Sequence, residues 1–368
     1  MASDLLDVHV VLDVQTPTVP LNLGNMAIFV VGPADAGTEP GGGSTVSEGE
    51  TVLDDVVLTS YEEIGDLGID LGTEADDIAK GFFAQNGHGK KLFIYGVPNS
   101  LDASETTKKF DLVCGDDWEF ASIIPGIDND ITALSNGIEA LGRKFLVLSG
   151  SGFEGDSADT IAKLKTLKDA PFIENTRTLM IIGTDKDAKY NIGALVGAIG
   201  NKTPGSVTWK FKGLQGSTPL NVSGAVVKQA DDTHVNLYVT KAGKAQTSEG
   251  LTLSGDYIDA LHADDWIRAE LETEIQKLLQ DNDKITFDAT GIGQIEAVVT
   301  TVLRTATENG IILIDSETGM GKFTVTALSR DQMSDADVAS RKYNGLSFEY
   351  IRAGAIHDVT IHGTIDNI

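Results

Sequence analysis

The chain has 368 residues, too many for one ordinary hydrophobic core, so two or three domains are expected. With 41% hydrophobic and 23% charged residues it has the composition of a packed globular protein, which excludes wholesale disorder and collagen-like order. The net charge of −27 repels phosphate backbones and anionic membrane surfaces, so neither nucleic acid nor a membrane is an expected partner.

At the amino terminus Val8, Val10, Leu12 and Val14 alternate with His9, Val11, Asp13 and Gln15, the period of a half-buried strand. Pro17 and Pro20 cut this strand off from the apolar run at 26–31, so residues 1–23 read as an arm. The terminus lacks the basic and apolar regions of a secretion signal, and no stretch is long and apolar enough to span a bilayer. Residues 37–51, rich in glycine, serine and acid, read as an exposed loop.

From about 56 to 190 short apolar runs alternate with helical stretches, the pattern of an α/β layered domain. The runs are 91–97, 110–114, 119–124, 144–149 and 178–183, and helices are expected near 61–66, 74–86, 128–142 and 157–168. The single cysteine, Cys114, can form no intrachain disulfide and reads as a small buried hydrophobe. Residues 191–255 are polar and look β-rich, with runs at 207–211, 225–228 and 235–239.

Two strong helices follow. Ile267, Leu271, Ile275, Leu278 and Leu279 line one face of 264–280, with Asp264 in the place of a cap. Ile295, Val298, Val299, Val302, Leu303 and Ala306 line the next, which stops at Asn309-Gly310. Strands are expected at 310–314, 322–328 and 346–351, around a polar hinge at 333–345. A last alternating segment places Val359, Ile361 and Ile365 on one face.

No chemical motif is complete. Residues 316–323 have Gly321-Lys322 but lack the first glycine of a phosphate-binding loop and end in Phe323, where magnesium needs a hydroxyl. Gly291-Ile-Gly293 is followed by Glu296 where a dinucleotide fingerprint needs a small residue, and reads as close helix entry. Gly150-Ser151-Gly152 lacks the outer glycines of a nucleophile elbow. The six histidines share no metal-type spacing, and Asp128-Asn-Asp130 and Asp281-Asn-Asp283 lack the later calcium-loop positions. Catalytic, cofactor and metal sites are therefore expected to be absent. Strands at both ends pose an edge problem: they pair with each other, or they complete the sheet of a neighbouring molecule.

The carboxy-terminal third carries a resemblance. Tyr257-Ile-Asp-Ala-Leu-His-Ala-Asp-Asp-Trp266-Ile-Arg268, Lys284-Ile-Thr-Phe-Asp-Ala-Thr-Gly291-Ile, Glu308-Asn-Gly-Ile-Ile, Arg341-Lys-Tyr343-Asn-Gly, and Ala353-Gly-Ala-Ile356-His with Ile361-His-Gly363-Thr stand in this order. Together they resemble tail sheath subunits of contractile bacteriophages and related phage-tail-like particles, over roughly residues 250–368. The resemblance implies a structural protein, an α/β and α+β multidomain chain. Its parts would be an amino-terminal β arm (1–23), an outer α/β domain (24–190), an inner sheath domain (191–351) and a carboxy-terminal β arm (352–368).

It further implies stacked hexameric rings in a helical tube around an inner tail tube, with baseplate and tail terminator proteins as further partners. Contraction would drive the tube through a cell envelope without any nucleotide. The particle would be a virion tail or a relative, assembled in the cytoplasm of a bacterial host. The arm contacts between subunits would be Val8, Val10, Leu12, Val14, Val359, Ile361 and Ile365. Basic Arg330, Arg341 and Lys342 flank the hinge and are candidates for gripping an acidic inner tube. The competing readings are an α/β enzyme using residues 90–185 and a monomeric surface-binding module with its arms folded back.

Overall fold

A computed structural model describes residues 23–32, 52–155 and 157–362. The expected strand at 8–14 and the loop at 37–51 fall outside these residues, as does Ile365.

The larger unit is built on β1 (Met26–Val31), an apolar run buried along its length. Such a run suits a parallel strand covered on both faces. It pairs in parallel with β3 and β4 on its two sides. In chain order there follow β2 (Val56–Leu58), α1 (Glu62–Asp66), α2 (Gly72–Phe83), β3 (Leu92–Val97), α3 (Ser104–Val113), β4 (Phe120–Ile124), α4 (Asp128–Leu141) and β5 (Phe145–Ser149). Then come α5 (Ser157–Thr166), β6 (Thr178–Ile182), α6 (Ala188–Ile199), α7 (Gly224–Asp232), β7 (Asn236–Lys241) and β8 (Lys244–Thr247). The eight strands form one sheet in the order β2-β3-β1-β4-β5-β6-β7-β8, parallel except at the antiparallel edges β2 and β8.

Two cores cover its faces. On one face Phe110, Leu134, Ile138, Leu164 and Val226 bring in α3, α4, α5 and α7; on the other Ile78, Phe82, Ile192 and Val196 bring in α2 and α6. The helices α2 and α6 touch backbone to backbone. A Cβ on Gly193 would stand 1.9 Å from the Ile78 carbonyl oxygen, and one on Gly81 would stand 2.1 Å from that of Tyr190.

The smaller unit has its own core. Its elements are α8 (Ile258–Asp281), α9 (Ala289–Glu308), β9 (Phe323–Ala327), the short α10 (Asp335–Ala339) and β10 (Leu346–Tyr350). Ile267 and Leu271 of α8 meet Val299, Val302, Leu303 and Ala306 of α9, on the faces the sequence marks. The Asp288 side chain caps α9 by accepting from Thr290 and Gly291 backbone N–H groups, and Gly310 closes it at φ +83°. Close entry explains Gly291, where a Cβ would lie 1.9 Å from the Thr286 carbonyl oxygen.

Several expectations are corrected. The run at 110–114 is the end of α3, not a strand; Thr106, Phe110 and Val113 turn inward at helical spacing. Residues 225–228 lie in α7, with Val226 and Ala230 inward. Residues 207–211 form no strand, because Phe211 takes a left-handed φ of +66°. Cys114 is half-buried. The boundary placed at residue 190 falls inside α6, and β7 and β8 continue the same sheet beyond it. The polar composition of 191–255 reflects edge strands and long connections of the layered unit, not the start of another domain.

Candidate assembly surface

The helix α8 joins the two units: Ile258 belongs to a sheet core, and Ala263, Ile267 and Leu271 to the smaller one. It also holds the chain at both ends of the described body. His262 is buried among Phe120, Phe145 and Trp209, and its Nε2–H donates to the Leu23 carbonyl at 3.1 Å. Burial pushes this imidazole down to about 4. Asp264, expected as a cap, lies inside the helix and accepts from Arg352 and from the Tyr350 hydroxyl. Arg352 is where the last segment leaves: the Ala353 N–H donates to the Ile311 carbonyl at 2.8 Å, and no backbone hydrogen bond follows among the described residues. Positions 262 and 264 are two apart on a helix of about 100° per residue, so the two ends are gripped from opposite sides.

Beneath α8, at the amino ends of β4, β5 and β6, lies a seat of buried charge. Asp265 is bound in a fork by Arg177, with Nη2 3.0 Å from Oδ1. Arg177 also donates to the Gly142 carbonyl at 3.1 Å, closing the end of α4. Glu119 and Lys144 are buried beside them. Desolvation raises the carboxyl of Glu119 and lowers the ammonium of Lys144 from their ordinary values. Lys144 donates to the carbonyls of Asp116 and Trp118 and sits 3.9 Å from the Trp118 ring centroid.

The outward surface of the smaller unit is a two-stranded antiparallel sheet. Phe323, Val325, Leu346, Phe348 and Tyr350 pack on its core, while Thr324, Thr326, Ser347 and Glu349 face out. Among the described residues no third strand flanks β9 or β10. An isolated hairpin is marginal, and its open edges are templates for pairing.

The segment after β10 continues in no regular structure among the described residues. Ile356 is 80% exposed, Val359 69% and Ile361 86%. Between them His357 alone is turned inward, with Nε2 2.7 Å from the Thr208 hydroxyl oxygen, Nδ1 3.8 Å from Glu249 Oε2, and its ring edge-on to Phe211 and Tyr257.

The structure thus places Val359 and Ile361 together on an exposed segment; Val8, Val10, Leu12, Val14 and Ile365 lie outside the described residues. Arg330, Arg341 and Lys342 share the exposed β9–β10 connection. The Arg330 guanidinium donates to the Phe287 carbonyl at 3.1 Å, and Tyr343 closes the loop by donating to the Leu328 carbonyl at 2.9 Å. Asp331, Asp335 and Asp337 stand on the same connection, so the basic surface is mixed. The near-phosphate loop is a turn: Asp315 accepts from the N–H groups of Glu317 and Thr318 and pairs with Lys322 at 3.1 Å. His262, Asp265 and His357 carry no sequence motif; adjacent acids on the inward side of an apolar helix are the one signal that points to α8.

Residues 258–365 match the family described as E217 tail sheath protein gp31-like, C-terminal domain. No curated protein matches the chain. Among solved structures it is similar to a chain of the anti-feeding prophage (AFP) baseplate, 6-fold symmetrised. The TM-score there is 0.67 at 11% identity, covering 98% of this chain and 99% of that one. It is similar also to the AFP helical sheath in its contracted state, with TM-score 0.65, 12% identity and 98% of each chain covered. The sheath tail protein DSY3957 from Desulfitobacterium hafniense follows with TM-score 0.52 and 10% identity, over 92% of this chain and 99% of that one.

Proposed function

We propose that this chain, a contractile tail sheath protein by its carboxy-terminal family and its whole-chain fold, links to its neighbours through its two terminal arms. The protein is structural and not an enzyme. The observation that carries the linkage is the exposed apolar series Ile356, Val359 and Ile361, on a chain that also carries a two-stranded sheet with open edges.

An extended segment can add a strand to such a sheet, with backbone bonds giving affinity and alternate side chains giving register. Each of the three side chains contributes about 1.5–3 kcal/mol when fully buried, before ordering costs. In this reading the carboxy-terminal arm, 352–368, crosses to the β9–β10 sheet of a neighbour, and the amino-terminal arm, 1–23, brings Val8, Val10, Leu12 and Val14 to the same composite sheet. Donation to another copy is heterologous, so it grows rings or helical tubes.

The subunit then forms hexameric rings stacked around an inner tail tube, between a baseplate and a terminator, in a virion tail or a phage-tail-like particle assembled in a bacterial cytoplasm. Similarity to chains in a 6-fold symmetrised baseplate and a contracted helical sheath supports this arrangement. Contraction shortens the sheath as subunit bodies rotate while the arms stay paired, and its energy comes from surface buried in the contracted state. Arg330, Arg341 and Lys342 face an acidic inner tube. Negative-stain microscopy and sedimentation of the concentrated full chain test the reading: tubes or rings are expected, and a sharp species near the 39.0 kDa monomer mass at every concentration contradicts it.

A further inference from the structure

The eight-stranded sheet ends at β2 on one side and β8 on the other. With neighbouring strands about 4.8 Å apart, these edges stand roughly 34 Å from each other. They differ in charge. Residues 52–80, which hold β2, α1 and α2, carry nine carboxylates and one lysine. Asp55 pairs with Lys109 at 2.9 Å, Asp76 with Lys80 at 2.5 Å and Glu74 with Lys189 at 3.5 Å. Asp54, Glu62 and Asp66 are exposed and join no salt bridge among the described residues, and Val57 is exposed beside them.

The far edge is the basic part of an acidic chain: residues 200–250 carry six lysines and three carboxylates. Lys210 occupies Glu249 at 2.5 Å. Lys241 and Lys244 flank the hairpin turn Ala242-Gly243, where both φ values are positive at 51° and 77°. Lys212 runs alongside β8, its carbonyl accepting from the Thr247 N–H at 2.9 Å, so the edge meets a partner through side chains and not by strand pairing. Lys202 adds positive potential at Lys212, while Asp231 and Asp259 are the carboxylates that face this group. Lys212, Lys241 and Lys244 form no salt bridge among the described residues.

Copies that each carry a net charge of −27 repel on approach unless local charges match. We propose that the β8 edge, through Lys212, Lys241 and Lys244, docks on the acidic β2–α1 edge of a second copy of this chain, through Asp54, Glu62 and Asp66. The contact is head-to-tail, and because β2 against β2 and β8 against β8 are both repulsive, the charges fix its polarity. It is a second contact between copies, separate from the arms.

The test uses two full-length variants, one with Lys212, Lys241 and Lys244 changed to Glu and one with Asp54, Glu62 and Asp66 changed to Lys. Circular dichroism checks folding, and Lys→Gln versions guard against misfolding from the reversals. In sedimentation at about 50 mM salt, wild type self-associates and loses this at about 500 mM, where screening is strong. Each reversed variant alone associates on the order of tenfold more weakly, and an equimolar mixture of the two regains association because acidic edges then meet basic ones. Unchanged association of either variant, or a mixture no stronger than its parts, overturns the proposal. The arms are tested separately: tubes that persist when only one edge is reversed but vanish on arm truncation sink the edge contact and leave the arms standing.

Discussion

Arg352 grips Asp264 in a two-point fork, its Nε 3.2 Å from Oδ1 and its Nη2 on Oδ2, at the place where the last segment leaves the body. The hydrogen bond to Asp264 raises the Arg352 guanidinium further above its ordinary value. With half of the Arg352 side chain in solvent, the pair contributes little to global stability, about 0.5–1 kcal/mol. Its effect is local, fixing where the last segment leaves the body. Arg352→Ala is therefore expected to leave the urea midpoint nearly unchanged while limited proteolysis after Tyr350 speeds up several-fold. Equal proteolysis of the two proteins removes the anchoring role.

His262 makes the fold sensitive to acid. Its folded value near 4 lies below the unfolded 6.5, so the unfolded chain binds the extra proton between these limits. The stability it preserves is present above about pH 6.5 and is lost as pH falls toward 4, up to roughly 3 kcal/mol. His262→Gln, which can still donate to the Leu23 carbonyl, is expected to flatten the stability difference between pH 7.5 and pH 5 in urea titrations. A variant as acid-sensitive as wild type assigns the loss to other groups.

The Arg177–Asp265 pair is buried at both ends, which gives it a different energetic character from Arg352–Asp264. Removing one partner strands a charge under α8, so Asp265→Ala is expected to cost about 3–5 kcal/mol. Replacing both, as Arg177→Met with Asp265→Leu, costs far less, because the two desolvation penalties disappear together. Comparable losses in the single and double variants would show that packing, not charge, holds the helix on the sheet.

The layered sheet was legible where apolar runs were long and bounded, as at β1, β5 and β6, and the paired helices α8 and α9 where Ile267, Leu271, Val299 and Leu303 recur at helical spacing. It was not legible where five apolar residues suit either structure, as in Phe110–Cys114, or where polar edge strands resemble linkers, as at β8. The partition at 190 failed for that second reason. The anchors on α8 could not be read at all, since His262 meets Leu23 across 239 positions and nothing local in the sequence marks a partner so far away.

The account turns on the arms. Deleting residues 358–368 removes Val359, Ile361 and Ile365 but leaves His357, Arg352 and every regular element of the described residues in place. Electron microscopy of this truncated chain beside circular dichroism of the same sample is the most direct measurement. The expected result is native helix and strand content with no tubes, and the same from deletion of residues 1–16 or from Val10→Asp, which puts an unpaired charge among the alternating apolar residues Val8, Val10, Leu12 and Val14. Tubes of normal length from the truncated chain contradict the account.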